Sequence, residues 1–303
     1  MAGGGSNPTR AILWAFGANL GIALAKSGAF FFTGSSSMLA ESIHSFADTG
    51  NQLLLLLGMN RAKQAPDAEH PLGYGKATYF WSFIVALLLF SIGGLFSIYE
   101  GVHKLHEEGP IENAWIALGV LGFSIVLESL SMRGCLQEIN KLRGRKPLWR
   151  WLRESRNAEL VVVFGEDLAA LLGLTLAFAF VGLAMLTGDR AYDAYGSLAI
   201  GVLLVVVAVL VAERISKLLI GRSADPALTE ALRAEIARDP AIPRVLHLIT
   251  LQIGPDVMLA AKLRAQDGTS LPDAIAQVNA LEQRLKLEHP SLRWSFIELD
   301  DVD

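Results

Sequence analysis

The sequence predicts a polytopic α-helical membrane protein: six transmembrane helices followed by a C-terminal cytoplasmic α+β domain in the order αββαβ. Three observations predict it. Hydrophobic residues make up 52% of the 303 positions, and the mean hydropathy is +0.41, more apolar than a soluble domain of this length. The apolar residues are gathered into blocks long enough to cross a bilayer, which takes about 20 residues per helix. After residue 223 the composition turns charged and amphipathic.

The blocks run roughly over 10–32, 37–59, 78–102, 113–135, 160–186 and 193–219, each near the length of about 20 residues that a span needs. The second and fourth are the least apolar, because they carry ionisable groups. The predicted division is therefore a membrane domain over 1–222 and a soluble domain over 223–303. In the latter, "SADPALTEALRAEIARDP" reads as a helix with Asp225 as N-cap and Pro226 at N1. "VLHLITLQI" (245–253) and "VMLAAKLRA" (257–265) read as strands joined by a tight turn. "SLPDAIAQVNALEQRLKLEH" (270–289) reads as a helix and "LRWSFIELD" (292–300) as a third strand, giving a sheet with one face covered by helices. The soluble segment holds 13 Asp and Glu against 8 Lys and Arg.

Charge sets the orientation and excludes one class of partner. A net charge of -4 and a pI of 5.9 leave no basic footprint for nucleic acid. Residues 133–156 carry Arg133, Lys141, Arg143, Arg145, Lys146, Arg150, Arg153 and Arg156, and the loop after the second block carries Arg61, Lys63 and Lys76. The loops at 33–37, 103–113 and 187–193 are poor in net positive charge. Basic loops stay on the cytoplasmic side, so both termini and the soluble domain are expected there, in an integral protein of the bacterial inner membrane. The run "LRGRKPLWRWLRES" suits contact with acidic lipid, and Trp115, Trp149 and Trp151 suit the membrane interface. The single cysteine, Cys135, excludes an intramolecular disulfide framework and a Cys-rich zinc finger. "MAGGGSNPTR" lacks the pattern of a cleaved signal peptide, and none is expected.

The second block holds a polar stripe. At about 100° per helical residue, Glu41, His44, Asp48 and Asn51 fall within an arc of about 80°. Ionisable groups inside a membrane face a bundle interior or a water path and mark functional sites. The fifth block adds Glu166 and Asp167, adjacent and so about 100° apart, of which one at a time can be central to a site facing the second block. An imidazole with carboxylates is the donor set of a borderline divalent cation such as zinc. His44 and Asp48, four apart, supply two ligands from one face. Asp167 supplies a third, and the fourth position is open to Glu41, Asn51, Glu166 or water. The competing reading is a buried hydrogen-bond and ion-pair network that locks two helices together.

These stretches resemble a known family. "TGSSSMLAESIHSFADTGNQLLLLLG" is similar to the second-helix signature of the cation diffusion facilitators, the zinc-transporter family, and "DAEHPLGYGKATYFWS" (67–82) to that family's His-Pro-x-Gly-x-Gly-Lys loop. "AESIHSFADTGNQ" and "GEDLAALLG" resemble one divergent branch with mammalian and bacterial members. The resemblance implies six spans, a cytoplasmic αββαβ dimerisation domain, a homodimer, and proton-coupled export of a divalent cation by alternating access, with the metal as cargo and no cofactor. It implies a transporter and not an enzyme. Two ligands come from each of helices two and five in that family: His44 and Asp48, then Asp167, with Val163 at the fourth position, which has no ligand atom. An auxiliary loop metal site would fall on Asp67 and His70, beside Tyr74. The family's binuclear cluster in the tail would fall near His247, Lys262, Glu298 and Asp300, where a lysine opposes a cation, so no full site is expected there.

Alternatives stay open at this point. Manganese, iron or cobalt suits a carboxylate-rich set with one His. A non-transporting membrane scaffold explains the same spans. An intramembrane metallohydrolase would need a metal-bound water and a general base, as on a His-Glu-x-x-His helix, which the sequence lacks. Lys26 reads as structural, Glu128 as a structural partner of Ser124 or Ser131 or as a group behind the metal ligands, and Glu100 and His103 as a solvated helix end, with the lining of an exit as the other reading.

Overall fold

The computed structural model describes residues 8–33, 36–106, 114–240 and 242–302, with the side chains of 33–41 and 114 outside the description. Much of the loops read at 33–37 and 103–113 therefore lies outside the described residues. Among the described residues, five helices are long and apolar enough to cross a membrane: Pro8–Phe32, Ala77–Lys104, Trp115–Arg143, Ala158–Thr187 and Ala191–Ile220, of 25 to 30 residues each. The helix carrying the polar stripe, α2 (Ser36–Ala62), is 27 residues long, so it has the length of a span, with its hydropathy lowered by the stripe.

The chain divides into two compact units. One comprises Met1–Asn60, Thr78–Arg153 and Ala158–Ser216; the other comprises Arg61–Ala77, Glu154–Asn157 and Lys217–Asp303. The division thus falls at Ser216/Lys217 where the sequence reading places it at 222, and the second unit takes in two short connections.

In the first unit, α1 (Pro8–Thr33) packs against α5 (Ala114–Arg143) and α7 (Ala158–Thr187), and α5 packs against α7. The next span is not one continuous α-helix. α3 (Ala77–Leu88) runs into a π-helical segment, Leu89–Leu95, and continues as α4 (Phe96–Lys104). The segment "LFSIGGL" gives no period that signals it, which is why the sequence reads a plain helix over 78–102. A wider turn of this kind inside an α-helix is uncommon and recurs at functional sites. α4 lies against α8 (Ala191–Ile220) at backbone distance. A Cβ on Gly101 would stand 2.8 Å from the Leu198 backbone nitrogen, and one on Gly201 would stand 2.7 Å from that of Ile98. Small residues at such crossings let helices approach where lipid supplies no hydrophobic drive.

In the second unit, α9 (Pro226–Ala237) begins at Asp225, whose side chain accepts from the Ala227 amide at 2.8 Å. The sheet has the order β1 (Arg244–Ile253), β2 (Asp256–Arg264), β3 (Leu292–Leu299), with β1 antiparallel and β3 parallel to β2. The parallel pair requires a crossover, and α10 (Leu271–Glu288) provides it, capped by Ser270. Alternate residues of β2 are buried, as the two-residue strand period dictates. Leu259 and Leu263 meet Leu232 and Ile236 of α9 and Leu281 and Leu285 of α10, all within 1% of full burial. The Arg61–Ala77 connection belongs to the same unit. There the Lys76 ammonium donates to the Leu219 carbonyl in the last turn of α8 at 3.5 Å, where a cation complements the helix terminus.

Candidate metal site

The polar stripe of α2 opens into a cavity of about 140 Å³ inside the first unit. His44 and Asp48 line it from α2, Glu166 from α7 and Glu128 from α5, with Lys26 and Lys104 also in its wall. His44 and Asp48 sit one helical turn apart, with Nε2 and Oδ2 at 3.7 Å. The His44 ring lies beside the π-helical segment: a Cβ on Gly93 would come within 3.8 Å of Cε1. A larger residue at 93 would therefore crowd the imidazole.

The adjacent carboxylates of α7 part company, as their angular separation requires. Glu166 faces the cavity. It is 4% exposed and held by two amide donors of α2: Asn51 Nδ2 donates to Oε1 at 3.0 Å, and Gln52 Nε2 donates to Oε2 at 2.6 Å. Asp167 is fully buried and turns towards α5, where Ser131 Oγ donates to its Oδ2 at 3.0 Å and Glu128 approaches it. Its Oδ1 has no hydrogen-bond partner among the described residues. So the structure brings His44, Asp48 and Glu166 to one cavity and sets Asp167 behind it. Asn51 acts here as a donor that orients Glu166. The side chain of Glu41 lies outside the described residues. Val163, one turn before Asp167, is buried and has no ligand atom to offer.

Two residues carry more than the sequence reading gave them. Gln52 is fully buried and grips Glu166, and its place could have been found, since it falls only about 20° beyond Glu41 on the same stripe. Glu128 takes neither serine as partner: Ser124 Oγ donates to the Val120 carbonyl at 2.8 Å and Ser131 serves Asp167. At the far end of the cavity, Lys104 Nζ lies 3.2 Å from Glu100 Oε1, from Asp193 Oδ2 and from Ser197 Oγ. Glu100 is thus part of the cavity wall, closer to the lining of an exit than to a solvated helix end.

The auxiliary positions are occupied by the protein itself. Asp67 Oδ1 accepts from the Glu69 and His70 amides at 3.0 and 2.7 Å, and Oδ2 accepts from the Tyr74 hydroxyl at 2.6 Å. The Tyr74 bond, with the His70 amide next, holds the Asp67 carboxyl below the usual carboxylate range. The His70 ring packs on Tyr74 with centroids 4.2 Å apart. In the sheet, His247, Lys262 and Glu298 form a cross-strand row, and Lys262 Nζ binds Asp300 Oδ2 at 3.1 Å. Among the described residues, one trio of ligand-type side chains has its donor atoms within 4.8 Å of one another: Glu235, Glu288 and His289. Arg284 also pairs with Glu235, at 3.6 Å. His44, Asp48 and Glu166 do not converge that closely.

A bundle of apolar helices surrounds a cavity lined by an imidazole and carboxylates. Residues 12–220 match the model of the cation efflux transmembrane domain. The chain belongs to that family, the cation diffusion facilitators, on its SLC30A9-like branch, a family of transporters and not of enzymes. It is 38% identical over 221 residues to the proton-coupled zinc antiporter SLC30A9, mitochondrial, of Xenopus laevis, a match covering 72% of this chain and 39% of the relative. It is 32% identical over 252 residues to metal tolerance protein C4 of Arabidopsis thaliana, covering 81% and 54%. Magnetosome protein MamB of Magnetospirillum gryphiswaldense is 26% identical over 291 residues, covering 93% and 90%. The match therefore covers well under half the length of the SLC30A9 proteins.

Proposed function

We propose that the chain is a proton-coupled antiporter that exports a divalent cation, zinc first among candidates, from the cytoplasm by alternating access. The observation that carries this reading is the meeting of His44, Asp48 and Glu166 in one cavity of an apolar bundle, and the names of the SLC30A9 relatives support zinc and protons. A neutral imidazole binds a metal and a protonated one does not, so His44 couples the two cargoes: the cation binds as the proton leaves, and the proton returns as the cation goes. Asp48 and Glu166 offset the cation's charge. Their donor atoms must close by side-chain rotation on metal entry. Asp167, with Ser131 and Glu128, backs the site from α5, and Asn51 orients Glu166. In this reading α2 is a sixth span, the αββαβ tail and both termini are cytoplasmic, the unit is a homodimer in a lipid bilayer, and the membrane is the bacterial inner membrane.

A second reading, the same transporter with manganese, iron or cobalt as cargo, is favoured by the donor set, one nitrogen against two carboxylates. Both are tested by flux in proteoliposomes with imposed proton gradients, zinc, manganese, iron and cobalt in parallel. Gradient-dependent flux of one metal, abolished by His44→Ala and by Asp48→Ala in chains that still fold, is expected. Wild-type rates in either variant would sink the ligand assignment, and no flux of any metal would leave a scaffold.

A further inference from the structure

Among the described contacts, three oxygens from two helices stand around one ammonium in the cavity wall. Glu100 Oε1 of α4, with Asp193 Oδ2 and Ser197 Oγ of α8, each stand 3.2 Å from Lys104 Nζ. Glu100, Lys104 and Ser197 line the same cavity as His44 and Asp48. The cluster is largely shielded, with side-chain exposures of 10% for Lys104, 25% for Glu100 and 19% for Asp193. Its oxygens are held at close quarters, because α4 and α8 touch at backbone distance at Gly101 and Gly201. Two carboxylates and a hydroxyl around one point are the oxygen donors that hard divalent cations take. The ammonium is a compact point charge on a flexible stem. It stands at that point, and the two carboxylates still leave the cluster a formal charge of minus one.

We propose that Lys104 is a resident cation: its ammonium fills a position in the cavity wall that would otherwise hold a divalent ion. The proposal rests on the cavity being a metal path. Passage along a path requires sites that bind weakly enough to release. A pair of shielded carboxylates without a counter-charge would trap the cargo at the cavity end. With the ammonium in place, the cluster attracts cations through its net negative charge but offers them no vacant ligand set. Lys104 is therefore a positioning residue, which shapes where the cargo rests without touching it as a ligand.

The test counts bound zinc and manganese by equilibrium dialysis of the full chain in detergent. A His44→Ala/Asp48→Ala background removes the α2 ligands from the count. Adding Lys104→Met is expected to raise the stoichiometry by one divalent ion per chain. Adding Asp193→Asn on top should take that ion away again, and Lys104→Arg should bind no more than the background. In the otherwise native chain, Lys104→Met should lower KM and maximal flux together, as tighter holding slows release. An unchanged stoichiometry in folded Lys104→Met overturns the proposal. Should that variant unfold without metal, zinc or manganese must restore it, since either ion would replace the lost charge, and a chain unfolded with and without them counts against the proposal. The binding count needs no transport, so a chain without flux that still gains the ion upholds the resident cation while removing the antiporter.

Discussion

Replacing Gln52 by leucine tests whether Glu166 is a ligand held ready by its neighbours. Gln52 is fully buried and donates to Glu166 Oε2 at 2.6 Å, while Asn51 holds Oε1 at 3.0 Å. Leucine keeps most of the volume and removes the donor. A hydrogen bond to a charged group is worth about 1.5–3 kcal/mol. At about 1.4 kcal/mol per factor of ten, the change corresponds to roughly a 10- to 100-fold loss of metal affinity if that bond orients the ligand. This agrees with the range of about 10- to 100-fold seen when groups behind metal ligands are removed. Losing the donor also frees Oε2 from a competing hydrogen bond, which acts the other way. Orientation wins here, because the donor atoms of His44, Asp48 and Glu166 do not converge unaided and every added rotamer of Glu166 makes closure rarer. Zinc affinity is read by competition with a chelating dye, and KM by proteoliposome flux. Glu166→Gln should weaken binding more than Gln52→Leu, and Asp167→Asn should weaken it less than Glu166→Gln. Gln52→Leu within twofold of wild type, or Asp167→Asn as the more damaging change, would refute the reasoning.

Two further outcomes follow from the packing and the charges. Gly101→Ala puts a Cβ 2.8 Å from the Leu198 backbone nitrogen, whereas at Gly119 nothing lies within 4 Å. The first substitution should cost about 1–3 kcal/mol as overpacking and lower the thermal midpoint in detergent, and Gly119→Ala should leave it unchanged or raised. The Lys262 ammonium, with the Asp301 amide next, holds the Asp300 carboxyl below its usual range. A depressed carboxylate adds stability above its unfolded-state value, near about 4, and that stability is lost as pH falls through the lower folded value. Protection from hydrogen exchange at β3 of the full chain, taken relative to the intrinsic rate at each pH, should therefore fall below that pH, and Lys262→Met should flatten the dependence. A profile identical in both proteins would rule out the pair as its source.

What the sequence revealed, and what it hid, divides along the reach of the signal. Spans and strands are periodic, so the apolar blocks and the alternation in "VMLAAKLRA" announce themselves, and observed β2 (Asp256–Arg264) starts one residue before the reading of 257–265. The stripe of His44, Asp48 and Asn51 was legible for the same reason: one helix carries it. Which of Glu166 and Asp167 meets that stripe was not, because neighbours about 100° apart are assigned only by how α7 is rotated against α2 and α5, a fact of packing between distant segments. The Lys104 cluster was hidden likewise, since Asp193 and Ser197 lie some ninety residues away in sequence. The π-helical Leu89–Leu95 leaves no compositional mark beyond its glycine pair.

On the proposed reading, the donor set bears on how the cargo is carried. α7 brings one candidate ligand to the cavity, for the positions one turn before Glu166 and Asp167 are Val162 and Val163, both buried and apolar. His44, Asp48 and Glu166 then offer one nitrogen and two carboxylates, short of the four ligands of a closed structural zinc site and matching the three-plus-water pattern of an open one. A cavity of about 140 Å³ takes a cation together with several waters. A partly hydrated ion costs less to bring into the membrane than a stripped one, since the desolvation of a charge is the largest opposing energy there. It is also easier to give up, as an exchanger must. Discrimination among divalent ions would then fall chiefly to the one imidazole, because nitrogen donors separate zinc and cobalt from manganese more than carboxylates do. Under the proposed exchange, the same atom, His44 Nε2 or its ring partner, would decide both which cation enters and when the proton takes its place.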